Sequence, residues 1–433
     1  MAEIQIKCPL CFGVMKIRTE WSGMQIKCPF CQRVIRVPQL QTPAVPPPQP
    51  IPETITDNCK RYEEEIPQQH YRKKNTSACR NIILTIAGIA LVGVLCWWFC
   101  QPSAERLYNQ GLEFYKNNNF PKAVECYTKA AEQGYAEAQF NLGVMYDDGQ
   151  GVAQNYAEAA KWFTKAAEQG YAEAQFNLGV MYDDGQGVAQ NYAEAVKWYT
   201  KAAEQGYAEA QYNLGIMYAK GEGVAQNYAE AVKWFTKAAE QGVKAAQYNL
   251  GIMYAKGEGV ARNYAEAAKW YTKAAEQGDA EAQYELGVMY DDGQGVAQNY
   301  AEAVKWYSKA ANQGVAEAQS KLGYCYYEGI GVAKNYEEAV KWYSKAANQG
   351  DIESCVMTGL CYGYLNDFSN AVYWFRRAAE QDHPGGMYLL GLMYNYGRGV
   401  SQDINLAISW MKKAAQKGQQ DAQKFLKENG IKF

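Results

Sequence analysis

A four-residue phrase, Ala-Glu-Ala-Gln, recurs along the chain at a fixed interval of 36 residues. Counting in-step variants, its occurrences begin at Ala136, Ala172, Ala208, Lys244, Ala280, Ala316 and Ile352. Repeats of this length are typical of stacked pairs of secondary-structure elements, each of which can bury its apolar surface only against its neighbours. The sequence therefore predicts an extended array, rather than one globular core, from residue 104 onward.

Each repeat has the pattern of two helices. In the unit 136–171, helix A is predicted from Ala136 to Tyr146, and Asn155 is predicted to cap helix B in a capping box with Glu158. Apolar residues recur in helix B at helical spacing, at Tyr156, Ala159, Ala160, Trp162, Phe163, Ala166 and Ala167. Gly143 in helix A is small enough for the two helices to approach closely, and Gly170 is predicted to end helix B in a left-handed conformation.

This unit resembles the Sel1-like repeat, a relative of the tetratricopeptide repeat. The resemblance is carried by Leu142-Gly143, Tyr146, the loop Gly149-Gln-Gly151-Val152, Asn155-Tyr156, Glu158-Ala159, Lys161-Trp162-Phe163 and Ala166-Ala167. Gln139 stands where the tetratricopeptide pattern has Trp, and the loop carries a four-residue insertion. Both departures are Sel1-like. The resemblance implies an all-α fold, a right-handed α-solenoid of Sel1-like and tetratricopeptide-like helix pairs.

The same pattern divides the C-terminal three quarters of the chain. We predict a tetratricopeptide-like repeat at 104–135, six 36-residue Sel1-like repeats at 136–351, a shortened repeat at 352–383, a Sel1-like repeat at 384–419 and a capping helix at 420–433.

The resemblance also implies which helix A residues line the concave groove of the solenoid. One position forms an aromatic ladder of Tyr108, Phe140, Phe176, Tyr212, Tyr248, Tyr284 and Tyr388. A second forms an aliphatic ladder of Val144, Val180, Ile216, Ile252 and Val288. A third is acidic in some repeats, at Asp147, Asp183 and Asp291. Such a surface suits an extended peptide or a partner's helix. The alternative is that these side chains only pack between neighbouring repeats.

Four cysteines near the N-terminus have the spacing of metal ligands. Cys8 and Cys11 are followed, after 16 residues, by Cys28 and Cys31. Four thiolates in two such pairs suit tetrahedral Zn²⁺. We predict that residues 1–38 form a small β zinc ribbon that holds one structural zinc ion per chain. Two disulfides, idle thiols or a rubredoxin-like iron site are the alternatives.

Two short strands are predicted within this ribbon, from Met15 to Trp21 and from Arg33 to Val37. No neighbouring His or Glu suggests catalysis, so the zinc ion is interpreted as structural. Lys and Arg outnumber acidic residues in the ribbon, which would suit nucleic acid, anionic lipid head groups or an acidic protein. A plain solvated surface is the simpler interpretation.

Residues 39–80 and 81–100 have the compositions of a linker and a membrane span. The run from Pro43 to Pro50 favours a polyproline II conformation, so 39–80 is predicted as a Pro-rich disordered linker. The 19 residues from Ile82 to Cys100 carry no charge. As a helix they would be about 28 Å long, close to the thickness of a hydrocarbon core. We therefore predict one transmembrane helix at 81–100 that contacts the lipid bilayer; the alternative is a buried core helix.

The distribution of charge predicts the orientation of this single-pass protein. Four basic residues, Arg72, Lys73, Lys74 and Arg80, precede the apolar run, whereas only Arg106 follows closely. Overall, residues 1–103 have a net charge of +5 and the remainder −8. The positive-inside rule places the N-terminus in the cytoplasm and the repeats outside, in the periplasm if the membrane is a bacterial inner membrane.

Catalysis is not predicted. His70 and His383 are the two histidines of the chain, which excludes most His-based chemistry. Ser409 and Lys412 match the Ser-x-x-Lys motif of β-lactamases, but Lys-Thr-Gly is absent. A β-lactamase-like hydrolase is thus the weakest hypothesis. Separately, Cys325, Cys355 and Cys361 fall in neighbouring helices A, where an oxidising compartment would allow a disulfide whose pairing the sequence does not define.

The function predicted from these features is that of a membrane-anchored, non-enzymatic scaffold or adaptor. Its solenoid would bind protein or peptide partners at many points along a rigid curved surface. The alternative is a signalling or regulatory membrane protein whose zinc ribbon contacts nucleic acid or a cytosolic partner.

Overall fold

The computed structural model describes residues 102–433 and, nearer the N-terminus, the backbone of four short strands. These strands are β1 (Glu3–Lys7), β2 (Val14–Arg18), β3 (Gln25–Lys27) and β4 (Val34–Arg36). They pair as two antiparallel hairpins, β1 with β2 and β3 with β4. β2 and β4 overlap the two predicted strands, whereas β1 and β3 were not predicted. The four N-terminal cysteines, the linker 39–80 and the apolar segment 81–100 lie outside the described residues.

Residues 104–428 form nineteen consecutive helices. Odd-numbered helices are helices A: α1 (Ala104–Lys116), α3 (Ala136–Asp148), α5 (Ala172–Asp184), α7 (Ala208–Lys220), α9 (Lys244–Lys256), α11 (Ala280–Asp292), α13 (Ala316–Glu328), α15 (Ile352–Tyr364), α17 (Pro384–Tyr396) and α19 (Gln420–Glu428). Even-numbered helices are helices B: α2 (Phe120–Glu132), α4 (Tyr156–Glu168), α6 (Tyr192–Glu204), α8 (Tyr228–Glu240), α10 (Tyr264–Glu276), α12 (Tyr300–Asn312), α14 (Tyr336–Asn348), α16 (Phe368–Glu380) and α18 (Ile404–Gln416). Each helix packs on the one before it and the one after it. The predicted all-α solenoid of helix pairs is thereby confirmed.

Helix B begins and ends as the sequence predicts, with one difference. The Asn155 side chain accepts hydrogen bonds from the backbone N–H groups of Ala157 and Glu158, at 3.1 and 3.2 Å. Gly170, after the last turn, has φ +93°. The second bond of the predicted capping box, from the Asn155 N–H to the Glu158 side chain, was wrong. The Asn155 N–H donates to the carbonyl of Tyr146 in helix A instead. This bond fixes the loop between the two helices, and Glu158 forms an ion pair with Lys161.

The close approach of helices A and B depends on a glycine in helix A. A Cβ atom added at Gly143 would lie 2.6 Å from the Phe163 ring of helix B, and one at Gly179 would lie 2.6 Å from the Tyr199 ring. Leu142 and Met145, on either side of Gly143, are fully buried between the helices. The aromatic ring of helix B thus occupies the space that a helix A side chain would otherwise fill.

The loops with the pattern Gly-x-Gly join helix A to helix B and contact the preceding repeat. Gly187, with φ +71°, lies against the start of α4 in the preceding repeat, and an added Cβ would lie 2.2 Å from the carbonyl oxygen of Tyr156. Glycine is favoured here for two reasons. It tolerates a left-handed backbone, and without a side chain it lets the two backbones approach closely. The shortened repeats lack this loop, and Asn118 and Asn366 make their turns at φ +57° and +60°.

A buried glutamine links neighbouring repeats. Gln211 of α7 donates to the carbonyl of Ala203 in α6 at 3.0 Å and accepts a hydrogen bond from Gln241, at the end of α8, at 2.8 Å. The position is only 4% exposed in the six helices A that carry it, at Gln139, Gln175, Gln211, Gln247, Gln283 and Gln319. Burial of an amide is tolerated because both its donor and its acceptor are satisfied.

At the C-terminal end of the array, α19 covers α18. It buries Ala422 and Leu426 and leaves Lys424, Lys427 and Glu428 exposed, which gives the last repeat a polar outer surface. Among the helices of residues 102–433, none combines the length and apolar character needed to cross a bilayer.

Candidate partner-binding groove

The predicted groove residues lie on one half-buried stripe of the helices A. In α3 this stripe contains Glu137, Phe140, Asn141 and Val144, all partly accessible, while Leu142 and Met145 on the other side are buried. Every member of the aromatic and aliphatic ladders has the same intermediate burial. The spacing of three and four residues places these side chains on a single helix face.

Six of the seven rings of the aromatic ladder pack on the aromatic ring of their own helix B; the exception is Tyr388. The ring centroids are separated by 5.8 to 6.0 Å in the pairs Tyr108–Tyr127, Phe140–Phe163, Phe176–Tyr199, Tyr212–Phe235, Tyr248–Tyr271 and Tyr284–Tyr307. In the first three repeats the ladder ring also packs on the tyrosine before the next helix A, as Phe140 does on Tyr171 at 5.1 Å. The ladder thus has a structural role, and one side of each ring stays accessible.

Contacts between successive helices A show that the stripe continues from repeat to repeat. The Asn141 side chain of α3 donates to the Tyr108 hydroxyl of α1 at 3.4 Å. Lys321 of α13 lies 4.0 Å from the carboxylate of Asp291 in α11. The half-buried positions of neighbouring repeats therefore form one surface, which we call the groove face.

The predicted acidic position is partly satisfied within the protein. Asp183 and Asp291 each accept a hydrogen bond at 3.3 Å from the tyrosine hydroxyl of helix B, Tyr199 and Tyr307 respectively. In the repeat of Asp147 the corresponding ring is Phe163, which has no hydroxyl to donate. Burial raises the pKa of Asp147, and the neighbouring charge of Asp148 raises it further.

A second acidic cluster, which the sequence analysis missed, lies on α11 and α13. Glu281 and Glu285 are one helical turn apart, and Glu317 occupies the Glu281 position of the next repeat. Burial raises the pKa of Glu285, as does the charge of Glu281, while Lys256 acts in the opposite direction. Burial likewise raises the pKa of Glu281, followed by the charges of Glu317 and Asp279. This part of the groove face is negatively charged at a cost to stability.

Replacing Glu285 with asparagine, the residue at this position in α3, α5, α7 and α9, is expected to stabilise the protein at neutral pH. A carboxyl whose pKa is higher in the folded state than in the unfolded chain destabilises the fold while it is ionised. This penalty declines as pH falls through the raised pKa and is absent below the pKa of the unfolded chain. The melting temperature should thus rise by about 2 °C at pH 7.5, and the gain should shrink on acidification.

The matched control is Glu204→Gln on an exposed turn of α6, which should change the melting temperature little at either pH. An equal gain for both variants, or a gain for Glu285→Asn that does not depend on pH, would contradict this electrostatic explanation.

The remaining predicted sites are placed as follows. Cys325, Cys355 and Cys361 are free thiols buried in three separate apolar clusters. Ser409 is exposed on α18, an open surface without the enclosed environment that acyl transfer requires. Within the described residues, no group of three or more His, Cys, Asp or Glu side chains could hold a metal ion.

Stacked helix pairs with a shared accessible face define a helical-repeat solenoid. The family model described as "Sel1 repeat" matches nine segments, at 104–135, 136–171, 172–207, 208–243, 244–279, 280–315, 316–351, 352–383 and 384–419. The chain belongs to the Sel1 repeat family, and the predicted resemblance is confirmed. This is a non-catalytic interaction-repeat family whose fold generally mediates protein–protein interaction.

One solved structure agrees with this assignment in both sequence and fold, and a second is similar in sequence. The crystal structure of c5321, a protective antigen present in uropathogenic Escherichia coli strains that displays an SLR fold, is 36% identical, with a TM-score of 0.54; the match covers 76% of this chain and 81% of that one. A Sel1 repeat protein from Oxalobacter formigenes is 38% identical over 55% of this chain and 96% of that chain, with a TM-score of 0.49. Among functionally curated proteins, none matches the chain significantly.

Proposed function

We propose that this protein is a membrane-anchored scaffold or adaptor that binds an extended segment of a partner protein along the groove face. The observation that carries the proposal is the pair of half-buried ladders, which present accessible aromatic and aliphatic surface on successive helices A. Exposed apolar surface bordered by charge is typical of interaction sites. The acidic residues of the groove face favour a partner segment with basic residues.

The anchor and the zinc ribbon remain predictions from the sequence. The apolar run 82–100 supports a single membrane span, with the N-terminus cytoplasmic and the repeats outside. The register of the hairpins supports a zinc site at Cys8, Cys11, Cys28 and Cys31, because Lys7 pairs with Val14 and Lys27 with Val34. Along the sequence, each cysteine pair therefore falls between two strands that pair with each other. Metal analysis should give one zinc ion per chain, and alkaline phosphatase fused after residue 110 should be active outside the cytoplasm.

The groove is tested by placing charge on the aliphatic ladder. The aromatic ladder is a poor target because its rings support helix B, whereas Ile216 and Ile252 are partly accessible. The double variant Ile216→Lys, Ile252→Lys should keep the helical content of the protein and lose partner binding. Removing the lysine ammonium groups from water against an apolar ligand costs free energy, and the two lysines alter the charge of the groove face. The measurement is proximity labelling from the C-terminus of the full chain.

The matched control adds the same two charges elsewhere. Ala193→Lys, Ala229→Lys places them at exposed positions near the starts of α6 and α8. This control should label the same neighbours as the unaltered chain. If the groove variant also labels that same set, the groove face does not carry partner binding.

A further inference from the structure

The aromatic ladder is interrupted in the repeat 316–351. Ser320 of α13 occupies the position that holds Tyr284 one repeat earlier and Phe140 or Phe176 in others. Because Ser320 has no ring, Tyr343 of α14 lacks the ring partner that the corresponding tyrosine Tyr307 has in Tyr284 at 6.0 Å.

A pocket of about 850 Å³ opens on the groove face at this interruption. Tyr343 and Ser320 contribute to its lining. Tyr324 from the next turn of α13, Tyr284 from α11 and Met357 from α15 complete it. Tyr324, at the aliphatic-ladder position, is 45% exposed. We call this cavity the Ser320 pocket. Its volume is in the range of small-ligand sites and exceeds that of one aromatic ring, so it can hold a ring together with adjoining peptide.

The next repeat does not close the pocket. Its ladder position holds Val356, which is only 5% exposed and packs inward. The Ser354 hydroxyl donates to the carboxylate of Asp351, and the Ser320 hydroxyl instead donates to the Ser354 oxygen, 3.2 Å away. Ser320 and Asp351, which line the pocket, are thus held by hydrogen bonds, and no aromatic ring occupies the ladder position of this repeat.

Charge around the pocket is mostly negative. Glu317, Asp351 and Glu353 line it, and Lys321 is its basic residue. The Lys321 ammonium lies 4.0 Å from Asp291, which offsets its charge. His383 contacts Glu353 at 3.0 Å. The surroundings therefore favour cations beside an apolar centre.

We propose that the Ser320 pocket is the anchoring site of the groove and receives one aromatic side chain of an extended partner segment that has basic residues on both sides. The anchored ring takes the place of the missing ladder ring and packs on Tyr343 as Tyr284 packs on Tyr307. The ladder itself defines the occupant, because phenylalanine or tyrosine fills this position in seven of the eight other repeats. The inference rests on the proposed function and adds the chemistry of the bound segment.

The test uses the purified full chain and fluorescein-labelled nine-residue peptides. One has a central phenylalanine with two Lys or Arg residues on each side, a second has alanine at the centre, and a third has glutamates as flanking residues. By fluorescence anisotropy the first should bind at least about tenfold more tightly than either of the others, as expected for burial of one aromatic side chain and for charge complementarity.

Two variants locate the binding. Ser320→Phe restores the ladder ring, so it should remove the preference for phenylalanine over alanine and raise the melting temperature. Ser320→Ala leaves the pocket open and should keep that preference. Glu317→Lys retains the cavity and should weaken only the preference for basic flanking residues, which keeps the test informative if Ser320→Phe folds poorly.

The proposal is overturned if the phenylalanine and alanine peptides bind equally at concentrations up to about 1 mM. It is likewise overturned if the Ser320→Phe variant binds the two peptides as the unaltered chain does. It is also overturned if Ser320→Phe converts a dimer to a monomer in sedimentation, since a second copy would then be the occupant. If these results are negative while the Ile216→Lys, Ile252→Lys variant still loses partners, the pocket fails and the groove stands. If that variant labels an unchanged set, the proposed function itself fails.

Discussion

Replacing Gly187 with alanine is expected to destabilise the solenoid by about 2–5 kcal/mol, because two penalties coincide at this residue. A left-handed backbone costs a residue with a Cβ atom about 1–2 kcal/mol. The added Cβ would also lie 2.2 Å from the carbonyl oxygen of Tyr156, a backbone atom that cannot move without shifting α4. Chemical denaturation followed by circular dichroism measures the loss.

Gly206 provides the matched control for this prediction. Its φ is +94°, yet an added Cβ would meet no atom within 4 Å. Gly206→Ala should therefore show only the backbone penalty of about 1–2 kcal/mol. Equal losses in the two variants would mean that the contact between the loop and the preceding repeat contributes nothing.

Replacing Gly179 with leucine is the second change for which we expect a large effect, a loss of about 3 kcal/mol or more. Even the first added carbon atom would lie 2.6 Å from the ring of Tyr199, which is only 1% exposed. Either the ring leaves its position or α5 separates from α6. Loss of the near-ultraviolet aromatic signal together with a lower denaturation midpoint would report this separation.

Gly363 of α15 gives a control with the same residue type in a helix. An added Cβ there would meet nothing within 4 Å, so Gly363→Ala should be neutral or stabilising by up to about 1 kcal/mol through helix propensity. Gly179→Ala should have the opposite sign. If both alanine variants stabilise the protein, the close-packing explanation for Gly179 is wrong.

The helix pairs could be predicted from the sequence because their signals are local and repeated. Asn155, Gly170 and the spacing of apolar residues in helix B each act within a few residues, and all three have the predicted role. The reciprocal bond of the capping box does not form because the Asn155 N–H has a competing acceptor, the Tyr146 carbonyl. Only the folded loop brings this carbonyl to Asn155. Strand β1 was missed although Ile4 and Ile6 alternate with polar residues in the sequence.

Features that depend on contacts between repeats were harder to predict. Gln139 was noted only as a departure from the tetratricopeptide pattern, and its bonds to Ala131 and Gln169 became evident only in the stacked helices. The ladder residues share one half-buried stripe of the helices A, but their packing on helix B and the gap at Ser320 became evident only in the structure. Periodicity gives the position of a side chain on a helix, whereas its neighbours depend on how helices cross.

The buried glutamines have a mechanical consequence. Their bonds to the preceding helix B measure 3.0 to 3.1 Å at all six junctions, and those from the following glutamine measure 2.7 to 2.8 Å. The second bond holds each buried glutamine within its own repeat, and only the first crosses a junction. A junction that rotated or slid would break that first bond inside an apolar environment, so the array resists bending there. The six repeats from 136 to 351 are therefore expected to be stiff. A ligand that spans them must match the spacing between repeats, because the array does not bend to fit the ligand.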